Sequence, residues 1–393
     1  MDRRAIAAII ALLLLALSAC QAGGVAPTTS TPPADTSSPL QVSVMSASRP
    51  MVASWLAQKD ELIASAKPYD LVMSGWFTPE EASQLRSHNP GALLLAGLSL
   101  NWVWDNPGWM SFLETVASYG RTHPLAVSEE MYLHHPDGSR CAFGWASESW
   151  GHEEIYAMDA RNAAWAELIT AFYETTLAQP QHDGIIIDMV LERSLFPDAM
   201  TDLEWTDATT QLMGRIEGLN TTDKLVVVNA GRDLSEIDAY AGFMDGYIME
   251  NCLGGQFGAT FEEALAAAGR GYVVVYAVDT DDSGQQDLNR MRLGLALSLL
   301  TDETYCAYDF GPRDHGQAWW YPEYDVQPGE PLGPWYKEGE SFRRQYAEGL
   351  VVASPHSETL VTFDAAHTDV TTGITGMRFS IDPGDARIYL RAD

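Results

Sequence analysis

The chain has 393 residues, with 54 Asp and Glu against 23 Lys and Arg, a formal charge of −31, and lysine only at Lys59, Lys67, Lys224 and Lys337. Phosphate recognition needs clustered Lys and Arg, so this composition excludes nucleic acid as a partner, and a strongly anionic glycan would be repelled. The cysteines (Cys20, Cys141, Cys252, Cys306) have neither the spacing of a disulfide framework nor a CxxC or His–Cys zinc pattern.

The chain starts with Arg3 and Arg4, an apolar run from Ala5 to Leu17, and then Leu17-Ser-Ala-Cys20. A charged n-region, a short apolar segment and a small-residue cleavage site predict a secretory leader rather than a membrane span. The cysteine after the small residues resembles a bacterial lipobox. That resemblance implies removal of residues 1–19, lipid attachment at Cys20, and a protein anchored to a bacterial membrane in the cell envelope, outside the cytoplasm. Residues 20–44 are mostly Gly, Ser, Thr, Pro and Ala. They cannot build a core and are expected to form a flexible tether.

From residue 45 onward, apolar runs alternate with amphipathic stretches. A helix-like segment over 50–66 precedes a strand from Asp70 to Trp76. Thr78-Pro-Glu-Glu81 places an N-cap and a first-turn proline at the start of a helix, followed by a strand over Gly91–Leu100. The stretch 101–154, rich in Trp, Gly and His, has no clear period and predicts a long excursion, with one strand near Leu125–Tyr132. A strand over Ile155–Asp159 and a helix over 162–177 lead to Asp183-Gly-Ile-Ile-Ile-Asp188. This β-branched run fits a strand buried on both faces. Strands over Lys224–Asn229, Asp245–Glu250, Gly271–Asp279 and Thr304–Asp309 follow, with helices near 204–219, 261–268 and 288–300 between them.

The strand ends are thus Trp76, Asn101, Glu129 or Glu130, Asp188, Asn229, Glu250, Asp279 and Asp309. Eight strand–helix units within 45–338 predict a (β/α)8 barrel, with a doubly wound sheet as the alternative. Residues 339–393 read as short strands without helical period, a small antiparallel β domain.

In a barrel, side chains at the C-terminal ends of the strands face the reaction site. Asp188 and Glu250 end strands on either side of a third, so their carboxylates can converge on one bond. Two facing carboxylates are the minimum for glycoside hydrolysis. Asp183 and Asp245, at the opposite ends of those strands, are expected to serve stability. Trp76 and Trp104 are the expected sugar-stacking residues, with Glu129, Asn229, Asn251, Asp279 and Asp309 as further substrate contacts. The Asp279–Gly284 segment resembles the opening of a calcium loop, but Arg290 stands where the closing Glu is needed. His134-His135 has no further ligand at metal spacing, and HExxH, the phosphate-binding P-loop and the G-x-S-x-G elbow are absent. No metal or cofactor is expected.

Met158-Asp-Ala-Arg-Asn-Ala-Ala-Trp165, Asp183–Asp188, Asp245-Gly-Tyr-Ile-Met-Glu-Asn251, Tyr324-Asp-Val-Gln-Pro-Gly-Glu-Pro-Leu-Gly333 and Arg344-Gln-Tyr-Ala-Glu-Gly-Leu-Val-Val352 together resemble a group of hypothetical glycosyl-hydrolase-like barrels, the family numbered fifteen. These are distantly similar to endo-α-1,4-polygalactosaminidases and melibiase-type α-galactosidases. The melibiase-type pattern implies Asp188 as nucleophile and Glu250 as acid/base, with retention of configuration, although strand 6 here ends in Glu rather than Asp. The expected function is hydrolysis of an extracytoplasmic poly- or oligosaccharide. The alternative is a surface lipoprotein that binds glycan or solute without turnover.

Overall fold

The computed structural model describes residues 48–55, 59–143, 154–221, 224–229, 231, 238–254, 258–281, 283–311 and 319–392. The leader, Cys20, the tether, Trp145, Trp150 and Asp282 lie outside the described residues. Those described all belong to one compact unit, Ser43–Asp393.

Eight parallel strands form the central sheet. In chain order they are β1 (Ala53–Trp55), β2 (Leu71–Ser74), β3 (Leu93–Ala96), β6 (Gly184–Ile187), β7 (Leu225–Asn229), β8 (Gly246–Cys252), β9 (Val273–Asp279) and β10 (Thr304–Asp309), and each is hydrogen-bonded to the next. The ring closes where Val52 bridges Cys306 in parallel and the Cys306 N–H donates to the Met51 carbonyl at 2.9 Å. The pleat divides the apolar residues in two. Ala53, Leu71, Met73, Leu95, Ile186, Val227, Ile248, Val275, Ala277 and Ala307 fill the barrel, while Val72, Leu94, Ile185, Ile187, Val228, Tyr247 and Val274 face the helices. Among the described residues the helices are α1 (Lys59–Ser65), α2 (Pro79–His88), α3 (Pro107–Ala117), α4 (Ala163–Leu177), α5 (Asp202–Glu217), α6 (Phe261–Ala268) and α7 (Leu288–Leu300). Thr78, Thr201 and Thr260 each start a helix with a capping box.

One device recurs at the bottom of the barrel. The Asp70, Asp183 and Asp245 carboxylates each accept, at 2.8 Å, the N–H of the residue opposite on the preceding strand: Val52, Leu94 and Val226. The main-chain N–H of each Asp donates back to the same residue's carbonyl. After two of them comes glycine, where a Cβ would lie 2.3 Å (Gly184) or 2.5 Å (Gly246) from the next strand's carbonyl oxygen. These acids therefore join staves, the structural role expected of Asp183 and Asp245.

Two elements differ from the sequence reading, and the differences cancel in the strand count. The segment 50–66 is not one helix: it holds the first barrel strand, β1, and the short α1. Its Ala, Met, Leu and Glu content favours helix, but pairing of Ala53–Trp55 with β2 overrides that local preference. The segment 125–132 is no barrel strand either. Glu129–Met131 form a 3-10 turn, and the alternation of Leu125 and Val127 reflects packing on the core without a parallel neighbour. This stretch lies in the excursion between β3 and β6, with α3 and a two-stranded antiparallel sheet of β4 (Trp102–Trp104) and β5 (Ile155–Ala157).

The C-terminal strands are β11 (Tyr336–Glu338), β12 (Ser341–Gln345), β13 (Gly349–Ser354), β14 (Thr359–Asp369), β15 (Thr375–Ile381) and β16 (Asp385–Arg391). They form an antiparallel sheet in the order β11-β12-β13-β16-β14-β15, which begins just before the expected boundary at 339. It packs on α7, whose residues from Met291 to Leu300 are all buried. Arg292 of α7 reaches Asp385 at 2.7 and 3.0 Å, and Arg344 donates to the Leu299 and Thr301 carbonyls that end the helix. The chain is therefore a (β/α)8 barrel with a C-terminal antiparallel β sheet docked on its side.

Candidate active site

Two residues beyond the inward-facing Ile186, Val227, Ile248, Ala277 and Ala307, the same pleat face carries Asp188, Asn229, Glu250, Asp279 and Asp309. An arc of polar side chains thus sits at the C-terminal ends of β6 to β10, above an apolar barrel. Asn229, on the strand between the two half-buried acids, is 2 % exposed. Its Nδ2 donates to Asp188 Oδ1 at 2.8 Å and to Glu250 Oε2 at 3.2 Å. The structure therefore brings Asp188, Asn229 and Glu250 together on one amide.

The backbone around each acid is tightly set. The Asp188 N–H donates to the Leu98 carbonyl at 3.1 Å, and the Leu100 N–H returns to the Asp188 carbonyl at 3.3 Å. The buried Tyr173 hydroxyl, on α4, caps the Leu98 carbonyl and reaches Ile186 O at 3.3 Å; burial pushes this phenol further from ionisation. Gly97 permits the approach of β3 to β6, since a Cβ there would lie 1.7 Å from the Ile186 carbonyl oxygen. Immediately after each acid the chain turns through the left-handed region, at Met189 (φ 56°) and Asn251 (φ 53°). For Met189 such a conformation costs roughly 1–2 kcal/mol, and residues held there cluster at functional sites. Glu250 lies in a β-bulge between Met249 and Cys252, a feature that re-aims side chains near active sites.

Asp279 and Asp309 face each other in register on β9 and β10. Asp279 Oδ1 accepts from Asp281 N at 2.7 Å. Asp309 Oδ1 accepts from Gly311 N at 2.7 Å and from Trp319 Nε1 at 3.2 Å, and Trp319 stacks on Phe310 with centroids 4.1 Å apart. Together with Ser54 and Tyr324 they line a cavity of about 20 Å³, room for one water. Both acids keep their place on the arc, next to the Asn229 group.

Other expected contacts lie elsewhere. Trp76 follows the outward phase of Val72, and its ring packs edge-on against Phe112 at 6.3 Å and His182 at 4.7 Å, in the helical layer. Glu129 is exposed on the excursion rather than at a barrel strand end. It pairs with Arg140 and His134, and chiefly the Arg140 guanidinium holds its carboxyl down at about 2. Trp104 stacks on Trp102 with centroids 6.1 Å apart and packs in a cluster that also holds Met189, beside the loop after Asp188. Asn251 forms the left-handed turn after Glu250, its carbonyl accepting from Gly254 N at 2.9 Å. Cys141, Cys252 and Cys306 are buried free thiols. Among the described residues, no group of three or more His, Cys, Asp or Glu is placed to hold a metal ion. Sequence reasoning missed Tyr173 and Gly97; the glycine inside an otherwise apolar strand was the available signal for a close backbone approach.

Two carboxylates on one hydrogen-bond donor, at the open end of a barrel, can supply a nucleophile or base and a proton donor to a bond held between them. The fold is similar to that of an α-amylase from Malbranchea cinnamomea (TM-score 0.50, 13% identity, covering 88% of this chain and 96% of that one). Two weaker likenesses are to the α-galactosidase AgaA of Geobacillus stearothermophilus in complex with raffinose (TM-score 0.45, 11% identity, 88% and 55%) and to Ega3 of Aspergillus fumigatus in complex with galactosamine (TM-score 0.44, 10% identity, 68% and 94%). This chain spans about half the length of the Geobacillus enzyme. No curated protein sequence matches it significantly. The profile described as hypothetical glycosyl hydrolase family 15 matches residues 111–350, a span that includes Asp188, Asn229, Glu250, Asp279 and Asp309, and the chain belongs to that family.

Proposed function

We propose that the chain hydrolyses a glycosidic bond of an extracytoplasmic poly- or oligosaccharide by retention, with Asp188 as nucleophile and Glu250 as acid/base. The observation that carries this reading is the shared amide. The two N–H bonds of an amide nitrogen diverge by about 120°, so arms of 2.8 and 3.2 Å set the accepting oxygens on the order of 5 Å apart. Retaining glycosidases hold their carboxyl groups ~5–5.5 Å apart, and inverting ones hold them further apart to admit a water. In this mechanism Asp188 attacks the anomeric carbon as Glu250 protonates the leaving oxygen. Glu250 then takes a proton from the water that releases the sugar.

A panel of neutral and amino-sugar oligosaccharides and aryl glycosides, screened for release of reducing ends, tests this. Asp188→Asn and Glu250→Gln should each lower kcat at least ~1,000-fold without changing the far-UV spectrum, and early product should keep its anomeric configuration by proton NMR. Full activity in either variant sinks that residue's role; inverted product sinks the nucleophile. Binding without turnover across the panel favours the non-catalytic glycan-binding alternative. The protein is further proposed to be lipid-anchored at Cys20, on the strength of the leader pattern. A Cys20→Ser variant expressed in a bacterium should leave the membrane fraction, and its retention there would refute the anchor.

A further inference from the structure

The polar groups of Asn229 are all engaged within the site. Nδ2 donates to Asp188 Oδ1 and Glu250 Oε2, and Oδ1 accepts the Gly231 N–H at 3.0 Å. The main-chain carbonyl accepts the Val190 N–H at 2.8 Å, just past Asp188, while Gly231 O accepts the Glu250 N–H at 3.4 Å. The Gly231 bond also orients the amide: turned over, it would set its oxygen against two carboxylates and its NH2 against an N–H. With both of its N–H groups directed at protein carboxylates, the amide has none left for a sugar hydroxyl.

We propose, resting on the reading of Asp188 and Glu250 as the reacting pair, that Asn229 is not the substrate contact expected from its strand-end position but a positioning residue that fixes the separation of the two carboxylates. Donation to a carboxylate favours its ionised form. The shorter arm goes to Asp188, so the clamp favours the anion at the nucleophile.

Two variants separate the clamp from a merely structural residue. Asn229→Ala removes both donors and the acceptor. Asn229→Asp keeps the size and the acceptor for Gly231 but sets a third carboxylate against the pair. In protein carrying carbon-13 in its Asp carboxyls, NMR titration follows Asp188, assigned by signal loss in Asp188→Asn. The Asp188 titration should move up by about one pH unit in Asn229→Ala and further in Asn229→Asp. On any aryl glycoside the wild type hydrolyses, kcat should fall by about 100-fold, with KM little changed and the acidic limb of the pH profile moved upward.

A KM increase with unmoved titrations would make Asn229 a substrate ligand and overturn the clamp, as would wild-type behaviour in Asn229→Asp. The titrations need no substrate, so the two readings can fail separately. Shifted titrations without turnover uphold the clamp and sink hydrolysis, whereas turnover with unshifted titrations does the reverse. If circular dichroism shows Asn229→Ala unfolded, the near-isosteric Asn229→Asp carries the test.

Discussion

Gly97→Ala probes the packing that sets the height of Asp188. A Cβ on Gly97 would lie 1.7 Å from the Ile186 carbonyl oxygen and 2.8 Å from its carbon, whereas real Cβ atoms keep 3.0 Å or more. The obstacle is backbone, held from behind by Tyr173, so it cannot rotate aside. β3 and β6 would have to part by more than about 1 Å in a densely packed interior. That breaks the 3.1 Å bond from the Asp188 N–H to Leu98. Overpacking of this kind costs about 1–3 kcal/mol and the lost bond about 1 more. A total near 3 kcal/mol, over a unit of this size, corresponds to a Tm lower by about 4 °C. A reacting group misplaced by about 1 Å loses on the order of 100-fold in kcat. The assay is a thermal melt followed by circular dichroism, with kcat on whichever glycoside the wild type hydrolyses. Gly91→Ala is the control: it is exposed, and the nearest atom to its Cβ is Asn89 Oδ1 at 3.5 Å. Gly97→Ala melting within about 1 °C of wild type, with normal kcat, would mean that the β3–β6 spacing yields freely and does not place Asp188.

Two further outcomes follow from buried charge. Asp385, 1 % exposed, neutralises Arg292 and also pairs with Arg387, so Asp385→Ala should cost about 3–5 kcal/mol in urea unfolding and keep a single transition for barrel and sheet together. A loss under about 1 kcal/mol, or two transitions, would refute a tight junction. His182 is 1 % exposed, accepts from Phe77 N at 3.3 Å and lies 3.0 Å from the Thr176 carbonyl, and burial above all lowers its pKa from 6.5. Below that value the unfolded chain binds a proton that the fold refuses, so stability falls as pH drops through 6.5 toward the lower folded value. The Tm difference between pH 7.5 and pH 5 should shrink in His182→Gln; an unchanged difference would place the effect elsewhere.

The strands most legible in the sequence were β6 to β10. They are buried on both faces, so each reads as an unbroken apolar run closed by a polar residue. β1 was not legible. It has three residues of helix-compatible composition, and only its neighbours β2 and β10 make it a strand. Trp76 was misplaced for a reason visible in the pleat: Leu71 and Met73 point inward, so position 75 is the mouth position and Trp76 falls on the helical side. Glu129 was drawn to the mouth by an alternation that comes from packing of the excursion on the core. The bridging amide of Asn229 and the left-handed turn at Met189 leave no trace in residue type, since both depend on side-chain and backbone angles that tertiary contacts impose.

The near-repeat of Asp183–Asp188 and Asp245–Glu250 has a physical basis that its residues alone did not disclose. In each, the leading Asp pins the strand to its predecessor at 2.8 Å, and the glycine lets the following strand close in. Three apolar residues then alternate outward, inward, outward. The next residue, five positions after the pin in both strands, points inward at Asp188, and at Glu250 the bulge after Met249 leaves the carboxylate within reach of the same amide. Joining the staves at the bottom therefore sets the level of Asp188 at the top. One strand between them leaves a gap that the Asn229 amide spans. Asp70 pins β2 in the same way, but its strand reaches Gly75 at the equivalent inward position and carries no acid there. The pin is thus a property of the barrel, and the carboxylates are what β6 and β8 add to it.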